Sequence, residues 1–406
     1  MSHGKIDRAI VIGGGIGGLT AALALHRQGV PVTVHERAAS LEPVGAGLAL
    51  APNALRALDR LGVGARLRAL ATPHPALGVR RPTGRWLART DTSAVENHFG
   101  DPIAAVARAE VIDALVNALP TGTVRTGSPA TLVTPGDEDR EAVVRTEEGE
   151  IGAALVVAAD GIHSATRAAL FPRHPGPRYS GFTTWRTIVD TPGRHPSAAG
   201  EIWGRGRLAG IVPLAGERVY VYGAALAPAG TRAGDEHAEL LRLYGDWCAP
   251  LPELLRASDP ARVLRHDVWA LTDPLPAYHR GRVALLGDAA HAMAPFQGQG
   301  ACQAIEDAVV LAAALTDGAG GGAGLGVGGG KGVGLAAYTA ARLPRTTRIV
   351  AGSHRIGALV ALRSPAAVLA RDAALTLAGL LPAHFLLKRS APTFDWQPPA
   401  LSGQAH

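Results

Sequence analysis

The segment RAIVIGGGIGGLTAALALHRQGVPVTVHER, residues 8–37, constrains the fold more than any other part of the chain. A short apolar run, Ala9–Ile12, precedes a cluster of glycines, and leucines at helical spacing follow the cluster. A second apolar stretch then ends at the letters VTVHER. This order predicts a strand, a tight turn, a helix and a second strand, which together make a βαβ unit.

The glycines of this unit have the spacing G-x-G-x-x-G, at Gly13, Gly15 and Gly18. In such a turn the first glycine permits the bend, the second lets a pyrophosphate approach the backbone, and the third lets the helix pack on the strand. Glu36 ends the second strand, where a carboxylate can accept hydrogen bonds from ribose hydroxyls. The pattern predicts a dinucleotide site; the alternative is a turn needed only for packing.

Two later segments have the same form, an apolar strand that ends at an Asp. The segment AALVVAADGIHSATR runs from the strand Leu155–Ala158 into Asp160 and a short helix, and VALLGDAAH ends at Asp288. A carboxylate at the carboxyl end of a strand in an α/β sheet is well placed to bind a ribose or polyol hydroxyl. After Pro295, a helix that starts among glycines would present its N-terminal amides to negative charge on a ligand.

A second G-x-G-x-x-G match, at Gly324, Gly326 and Gly329, is not interpreted as a nucleotide site. It lies in the tract 318–334, where 11 of 17 residues are glycine and no strand precedes them. Lys331 is followed by glycine instead of Ser or Thr, so the tract is not a P-loop either. Its composition predicts a flexible connector.

Composition and charge exclude several other classes of protein. The 406 residues are 47% hydrophobic, which favours a globular chain of two or three domains. The net charge of +6 is spread without a basic run interleaved with aromatics, so no nucleic-acid partner is expected. Cys248 and Cys302 are far apart, which is typical of a reducing compartment. The absence of signal-peptide and transmembrane patterns predicts a cytoplasmic protein.

Taken in order, these motifs resemble those of the flavoprotein aromatic hydroxylases, single-component FAD monooxygenases of the para-hydroxybenzoate hydroxylase type. The resemblance rests on the N-terminal fingerprint, GAGLALAPNALRAL, Arg108 before a helix, ADGIHSATR, GDAAHAMAPFQGQGACQAIEDA and YTAARLPRTTRIV. It covers nearly the whole chain. It is strongest to shorter members such as salicylate, 3-hydroxybenzoate and urate hydroxylases and zeaxanthin epoxidase.

The resemblance implies an α/β fold, with a Rossmann-like FAD-binding domain, an inserted antiparallel β-sheet substrate domain and a C-terminal helical tail. The FAD-binding domain would be discontinuous, comprising residues 1–76, 100–178 and 273–345. The substrate domain would comprise residues 77–99 and 179–272, and the tail would comprise residues 346–406. The oligomeric state is left open, with a homodimer as one alternative.

The resemblance also implies noncovalently bound FAD and a role for each motif residue. Gly13, Gly15 and Gly18 would hold the pyrophosphate, and Glu36 with Arg37 the adenosine ribose. Arg108 would reach the diphosphate and ribityl region, Asp160 would serve both FAD and NAD(P)H, and Asp288 would bind the ribityl chain. The residues expected to line the isoalloxazine ring are Pro295, Gly298, Gln299 and Gly300.

The resemblance further implies that NADH or NADPH binds transiently and reduces FAD, and that a flavin C4a-hydroperoxide then inserts one atom of O2 into an aromatic or heteroaromatic small molecule. Two alternatives stay open on the same scaffold. One is an epoxidase, a tailoring or inactivating oxygenase of a polycyclic natural product, or an isoprenoid reductase. The other is a non-enzymatic dinucleotide-binding protein. The segment TTWRTIV lacks the W-x-W-x-I-P signature of flavin halogenases.

Substrate contacts are expected from the strands between the Asp-Gly and Gly-Asp motifs, which read as an antiparallel sheet over the flavin. Because alternate residues of a strand face opposite ways, about half of the candidates must point away from the pocket. The low aromatic content of 4% predicts a mainly aliphatic pocket wall. Catalytic roles are expected for Arg207, Tyr222 and Pro295. The further candidates on the sheet are Trp185, Arg186, Trp203, Arg205 and Tyr220.

Two histidines follow the strand-end carboxylates, and each has two interpretations. His291 could act as a general base, but its motif position favours a role in ordering the loop through hydrogen bonds, and the same holds for His163. No metal-ligand spacing and no G-x-S-x-G nucleophile elbow occurs in the sequence.

The apolar, Arg-flanked helices near the C-terminus also have two interpretations. They could associate with a membrane surface, or they could form a helical lid or dimer contact packed on the FAD domain, which the sequence analysis favours.

Overall fold

A computed structural model describes residues 6–41, 46–72, 76–193, 199–317 and 333–401. Most of the glycine tract predicted to be a flexible connector, residues 318–332, lies outside the described residues.

Eighteen strands form four sheets in the described part of the chain. The strands are β1 (Ala9–Ile12), β2 (Val32–His35), β3 (Gly47–Leu50), β4 (Ala76–Arg80), β5 (Trp86–Asp91), β6 (Ala104–Ala107), β7 (Val124–Arg125), β8 (Thr131–Thr134), β9 (Ala142–Thr146), β10 (Gly149–Ala153), β11 (Leu155–Ala158), β12 (Arg178–Asp190), β13 (Gly200–Trp203), β14 (Arg207–Leu214), β15 (Arg218–Leu226), β16 (Leu264–Ala270), β17 (His279–Arg280) and β18 (Val283–Leu285).

Thirteen helices in the described residues pack on these sheets. The helices are α1 (Ile16–Arg27), α2 (Pro52–Asp59), α3 (Gly64–Ala69), α4 (Thr92–Phe99), α5 (Arg108–Val116), α6 (Ala165–Leu170), α7 (Glu236–Tyr244), α8 (Leu251–Ala257), α9 (Asp288–His291), α10 (Gly300–Asp317), α11 (Val333–Val360), α12 (Pro365–Gly379) and α13 (Ala383–Phe394).

The main sheet has six strands in the order β17-β18-β11-β1-β2-β7, all parallel except β17. Its central strands β1, β11 and β18 are buried along their whole length, as expected for strands covered on both faces. Helices α1 and α10 pack against each other beside the sheet, and their Ala and Leu side chains join the strands in the largest core cluster. The predicted α/β class, with a Rossmann-like dinucleotide-binding unit, is confirmed.

A second large sheet has seven strands in the order β16-β12-β15-β14-β13-β4-β5, antiparallel except where β13 meets β4. One face, which we call the outer face, packs against α7 and α8 through Trp185, Ile211, Tyr244 and Trp247. The other, the inner face, turns toward β3, β6 and the segment before α10. Because side chains alternate along each strand, only every second one faces the domain built on the six-stranded sheet.

The C-terminal chain forms three helices and then returns to the dinucleotide-binding sheet. The returning segment is held at Trp396, whose ring lies beneath the guanidinium groups of Arg342 and Arg345 at 5.9 and 5.7 Å. Within the described residues, no single helix is long and apolar enough to cross a membrane. The pair α12 and α13 meets the criteria of length and composition only when taken together, across a bend of 114°.

Candidate functional site

Four motif residues follow four neighbouring parallel strands of the six-stranded sheet. Gly13 follows β1, Glu36 follows β2, Asp160 lies two residues beyond β11, and Asp288 lies three beyond β18. The register pairs Ile12 with both Ala158 and His35, so these strands end at the same level. The sequence motifs are thus brought to one edge of the sheet, where α/β proteins bind ligands.

The three fingerprint glycines differ in what surrounds them. Gly13 has a φ of +107°, and a Cβ there would lie 2.3 Å from the carbonyl oxygen of Ala159. A Cβ on Gly18 would lie 2.0 Å from the carbonyl oxygen of Gly13, so helix and strand could not pack. At Gly15 the nearest atom to a Cβ is Arg108 Nη2, at 3.8 Å. Protein packing explains the first and third glycines, whereas the space at Gly15 is open on the side of Arg108.

The Glu36 carboxylate accepts main-chain hydrogen bonds at the glycine turn. Its Oε2 accepts a hydrogen bond from the Gly14 amide at 2.7 Å, and its Oε1 accepts one from the Ala38 amide at 2.8 Å. A carboxylate has about four acceptor sites, so further hydrogen bonds from a ribose remain available. Arg37 is exposed beside it.

Asp160 carries an unsatisfied acceptor. Its Oδ2 accepts a hydrogen bond from the Thr166 amide at 3.0 Å, while its Oδ1 is buried and has no hydrogen-bond partner among the described residues. The buried guanidinium of Arg167 donates to the carbonyl oxygens of Ile162 and Ala289 and so joins the Asp160 turn to the Asp288 turn. A buried unpaired oxygen is costly, and a ligand hydroxyl would satisfy it.

Asp288 lies in a recess between these turns. Its side chain is exposed, yet the surrounding protein raises the pKa of its carboxyl by desolvation, against the opposing positive charges of His291, Arg108 and Arg167. Arg108, on the other side of the recess, has its pKa lowered by burial, and the Asp288 charge opposes this effect. The Asp288 carboxylate is therefore open to a ligand and lies near three basic side chains.

A buried polar network fixes the Asp288 turn from behind. Asp307, on α10, accepts hydrogen bonds from the Gly287 amide at 2.9 Å and Arg342 Nε at 2.7 Å, and its Oδ2 lies 2.6 Å from His291 Nε2. Burial raises the pKa of Asp307, but the charges of His291 and Arg342 and these hydrogen bonds outweigh it and lower the pKa to about 2. His291 is buried and held in this network.

The position of His291 agrees with the predicted role in ordering the loop. His163, for which the same role was expected, is exposed and packs edge-on against the Trp269 ring, with centroids 5.9 Å apart.

The residues expected around the ring of a flavin have two different orientations. Pro295 and Gly298 are exposed, and a Cβ on Gly298 or Gly300 would have no neighbour within 4 Å. Gln299 instead turns inward: its Oε1 accepts hydrogen bonds from Asn53 Nδ2 and Gln303 Nε2, both at 3.1 Å. The Gln299 side chain therefore belongs to the core, and only its main chain can face a ligand.

The inner face of the seven-stranded sheet carries a carboxylate that the sequence analysis did not select. Tyr222 on β15 donates a hydrogen bond to Glu201 Oε1 at 2.7 Å, and the indole of Trp203 donates to Glu201 Oε2 at 2.6 Å. The Tyr222 ring reaches Glu201 by crossing Gly210, where a Cβ would lie 2.1 Å from the ring. Burial raises the pKa of Glu201, against these two hydrogen bonds, and raises the pKa of Tyr222 well above its ordinary value.

Positive charge lies beside this pair. Arg186 is the cross-strand neighbour of Tyr222, and its Nη2 lies 3.1 Å from His266 Nδ1. Its Nε is buried without a hydrogen-bond partner among the described residues. Burial raises the pKa of the adjacent Tyr220 to about 12, although Arg186 opposes the shift. The inner face therefore has an acidic end at Glu201 and a basic end at Arg186.

The inner face contacts the loop before α10 through aromatic side chains. Phe182 and Phe296 pack edge-on with centroids 5.0 Å apart, in a cluster that includes Ala294, Trp203 and Tyr222. The cluster contains four aromatic side chains, and its other members are aliphatic. The mainly aliphatic pocket wall expected from the low aromatic content stays a prediction.

Three other candidates lie away from the inner face. Arg207 shares its strand face with Ala209 and Ile211 in the outer core, and its guanidinium lies 5.3 Å from the Trp247 ring. The structure therefore does not bring Arg207 to the site, and the catalytic role expected for it is corrected on this ground. Trp185 is also in the outer core. Arg205 is exposed at the β13–β14 turn, where its Nε donates to the Arg363 carbonyl oxygen.

These features fit FAD. A buried acceptor on Asp160, a carboxylate on Asp288, a cation on Arg108 and open backbone at Gly15 and Gly300 surround one recess at the carboxyl edge of the sheet. Within the described residues, no cluster of His, Cys, Asp and Glu could hold a metal ion. The fold and this recess define an FAD-dependent oxidoreductase.

Comparison with known proteins gives the family. The model of the FAD binding domain family matches residues 7–353. The chain is 35% identical to the aurachin C monooxygenase/isomerase of Stigmatella aurantiaca over 86% of this chain and 88% of that protein. It is 32% identical to the 3-hydroxybenzoate 6-hydroxylase of Klebsiella oxytoca over 87% and 88%. The chain belongs to the FAD binding domain family.

Comparison with solved structures agrees with this family assignment. The Klebsiella pneumoniae protein HpxO in complex with FAD and uric acid superimposes with a TM-score of 0.82 and 26% identity, over 95% of this chain and 96% of that one. The predictions of FAD as cofactor and of an FAD-dependent monooxygenase related to the aromatic hydroxylases are confirmed.

Proposed function

We propose that this enzyme uses NADH or NADPH to insert one atom of O2 into an aromatic or heteroaromatic small molecule that binds between the inner face and the Pro295 loop. The observation that supports this most directly is the contact between the inner face and the Pro295 loop, where Phe182 packs on Phe296. A ring on the inner face would lie against the part of the recess that Pro295, Gly298 and Gly300 border.

The geometry of the recess supports the following FAD-binding roles. Gly13, Gly15 and Gly18 would form the pyrophosphate turn, Glu36 and Arg37 would bind the adenosine side, and Arg108 would pair with the diphosphate. Asp160 Oδ1 and Asp288 would accept hydrogen bonds from hydroxyls, and the main chain of Gly298, Gln299 and Gly300 would border the ring beside Pro295. When bound, FAD supplies the redox chemistry that activates O2 with electrons from NAD(P)H.

Tyr222 and Glu201 would orient and activate the substrate. Because the Tyr222 hydroxyl donates its proton to Glu201, its oxygen remains free to accept a hydrogen bond from a substrate O–H or N–H. If the substrate proton moved to the Tyr222 oxygen while the Tyr222 hydroxyl proton moved to Glu201 Oε1, the substrate would be left with an electron-rich ring. Such a ring favours attack by an electrophilic oxygen. The raised pKa of Glu201 makes its carboxylate a better proton acceptor than an ordinary one.

Arg186 would bind the opposite end of the substrate. Its unpartnered Nε suits a carboxylate or ring carbonyl oxygen. Burial and the neighbouring Arg186, Arg265 and Arg232 lower the pKa of His266, so this histidine stays neutral beside Arg186 near pH 7. The substrate class we propose has an ionisable hydroxyl or ring N–H at one end and an acceptor at the other.

An anaerobic titration of the FAD-loaded protein with NADH and NADPH tests the proposal. Flavin bleaching is followed with and without phenols, hydroxybenzoates, purines and quinolones. We expect one class of compound to accelerate reduction and to yield its hydroxylated product when air is admitted. If neither nicotinamide reduces the flavin with any compound, the monooxygenase mechanism is excluded for this chain.

A second candidate is a tailoring oxygenase of a polycyclic or heteroaromatic natural product. It is supported by the 35% identity to a relative named for aurachin C rather than for a benzoate. In the same titration, acceleration by quinolones but not by hydroxybenzoates would favour this candidate. We place either reaction in the cytoplasm.

The fingerprint glycines provide a matched pair of variants. Gly18→Ala places a methyl group against the Gly13 carbonyl, and we expect it to lower the free energy of unfolding of the apoprotein by about 2 kcal/mol or more. Gly15→Ala meets no protein atom closer than 3.8 Å, so unfolding should change little. We expect it to weaken FAD binding by about tenfold, or about 1.4 kcal/mol.

Urea unfolding of the apoprotein and fluorescence titration with FAD measure the two effects. Full FAD affinity in Gly15→Ala would contradict the role given to this glycine.

A further inference from the structure

Helix α12 has its polarity reversed relative to an ordinary surface helix. Its buried side carries Arg371 and Asp372, which pair with each other at 2.8 Å, and Arg81 Nε joins Asp372 Oδ2 at 2.8 Å. Apart from Pro365 at its start, its exposed side consists of alanines and leucines. A helix that packs on a protein core normally turns its apolar stripe inward and its charges toward water. The exposed alanines and leucines of α12 are Ala366, Leu369, Ala370, Ala373, Ala374 and Leu377.

The apolar surface continues beyond the helix into the turn and α13. Leu369, Leu377 and Leu380 are 63%, 66% and 76% exposed. We call the following residues the α12 patch: Leu359, Leu369, Leu377, Leu380, Leu381 and Phe385. Among the described residues, the large hydrophobic side chains that are exposed are these six and Val133. Such a concentration of exposed apolar side chains marks an interaction surface.

The chain segment that forms the α12 patch carries almost entirely positive charge. Residues 346–394 contain six Lys and Arg but a single acidic residue, Asp372, whereas the whole chain has a net charge of only +6. Asp372 is buried and paired, so it does not offset the surface charge. The exposed basic residues of this stretch are Arg348, Arg355, Arg363, Lys388 and Arg389.

We propose that the α12 patch docks this enzyme on an anionic lipid surface. Leucines and Phe385 would enter the headgroup boundary, and the surrounding Arg and Lys side chains would pair with lipid phosphates. At 15 residues, α12 is about 22 Å long, which suits a helix lying in the plane of the interface and is too short to span a bilayer.

Electrostatics favours the lipid surface over a second copy of the chain. A two-fold contact through the α12 patch would bring Arg355, Arg363, Lys388 and Arg389 toward the same residues of the other copy. Like charges at such an interface repel, and residues 346–394 contain no exposed acidic residue to compensate for them. An anionic membrane satisfies both the apolar and the basic residues.

Vesicle flotation of the full-length, FAD-loaded protein tests the proposal. One set of vesicles is phosphatidylcholine alone, and the other contains equal parts of phosphatidylcholine and phosphatidylglycerol. We expect binding to the anionic vesicles at low salt, weaker binding to the neutral ones, and loss of binding as salt is raised. Failure to float with anionic vesicles at low salt would overturn the proposal.

The double variant Leu377→Glu/Leu380→Glu is expected to reduce vesicle binding at least about tenfold. Val133→Glu is the matched control, because it places the same charge at an exposed apolar residue outside the patch, and it should bind as wild type does. Nicotinamide oxidation without vesicles should be unchanged in both. If the double variant loses this activity, Lys388→Glu/Arg389→Glu replaces it as the test of vesicle binding.

Sedimentation velocity without lipid tests the competing interpretation, in which a second copy of the chain covers the α12 patch. If the wild type is a dimer, the double variant is a monomer, and neither binds vesicles, the α12 patch is a contact between copies and the lipid proposal is wrong.

Discussion

Replacement of Asp307 by Asn should lower the free energy of unfolding by about 3 kcal/mol or more, since it removes one partner from a buried ionic network. Asp307 is fully buried and bonds to the Gly287 amide, His291 and Arg342. The side-chain amide of Asn would direct an N–H group toward at least one of these hydrogen-bond donors. The buried Arg342 would keep Glu306 as its remaining carboxylate partner. The midpoint of urea unfolding of the apoprotein measures the loss.

The difference in free energy of unfolding between wild type and Asp307→Asn depends on pH through the pKa of Asp307, which is lowered from 3.8 to about 2. A carboxyl whose pKa is lower in the folded protein stabilises the fold above its unfolded pKa, and this contribution is lost as the pH falls through the folded value. The gap between wild type and Asp307→Asn should therefore be full above about pH 4 and should narrow toward pH 2.

Asp288→Asn is the matched control for this prediction, since it changes a carboxylate on the same turn. Asp288 is exposed, and desolvation raises its pKa, so neutralising it should not destabilise the apoprotein. It should instead weaken FAD retention during gel filtration. Equal unfolding midpoints for Asp307→Asn and wild type would show that the network does not support the turn, and full flavin occupancy in Asp288→Asn would remove the role given to that carboxylate.

The ends of the parallel strands could be predicted from the sequence because their signals are local. Each of β1, β11 and β18 is a short apolar run followed by a glycine or an Asp-Gly or Gly-Asp pair. Parallel strands covered on both faces read as continuous apolar runs, and their carboxyl ends meet at one edge of the sheet. Neighbouring positions for Gly13, Asp160 and Asp288 therefore follow from pattern alone.

The orientation of side chains on the seven-stranded sheet could not be predicted in the same way. Because side chains alternate, Arg207 and Leu208 face opposite sides of the sheet. Which of them faces the recess depends on the face that α7 and α8 cover, and the sequence of the strand does not show this. Glu201 was missed because it reaches Tyr222 across a third strand, over Gly210.

Long-range partners also decide the orientation of Gln299 and of the Asp307 network. Gln299 turns inward because Asn53, 246 residues earlier, donates to it. Glu306 and Asp307 are adjacent acids in a mostly apolar helix, which indicates that they have buried basic partners. The sequence does not show that Arg342 is that partner.

Tyr222→Phe should reduce kcat/KM by about 100-fold, within the range for loss of a group that transfers a proton. The variant keeps the ring over Gly210 but removes the only atom that joins the substrate to Glu201 in the proposed arrangement. Tyr244→Phe is the matched control. Tyr244 is buried on the outer face of the same sheet, and its hydroxyl has no hydrogen-bond partner among the described residues, so its loss should leave activity unchanged.

Glu201→Gln tests the same proton path through the pH profile. Burial raises the pKa of Glu201 above its ordinary value of 4.5, so the wild-type kcat/KM should rise with pH as this carboxyl loses its proton and becomes able to accept one from Tyr222. The Gln variant cannot ionise, and its profile should lack that rising limb at an activity close to that of Tyr222→Phe. A Gln variant that retains the wild-type limb, or a Phe variant within threefold of wild type, would mean that the substrate loses its proton without Tyr222 and Glu201.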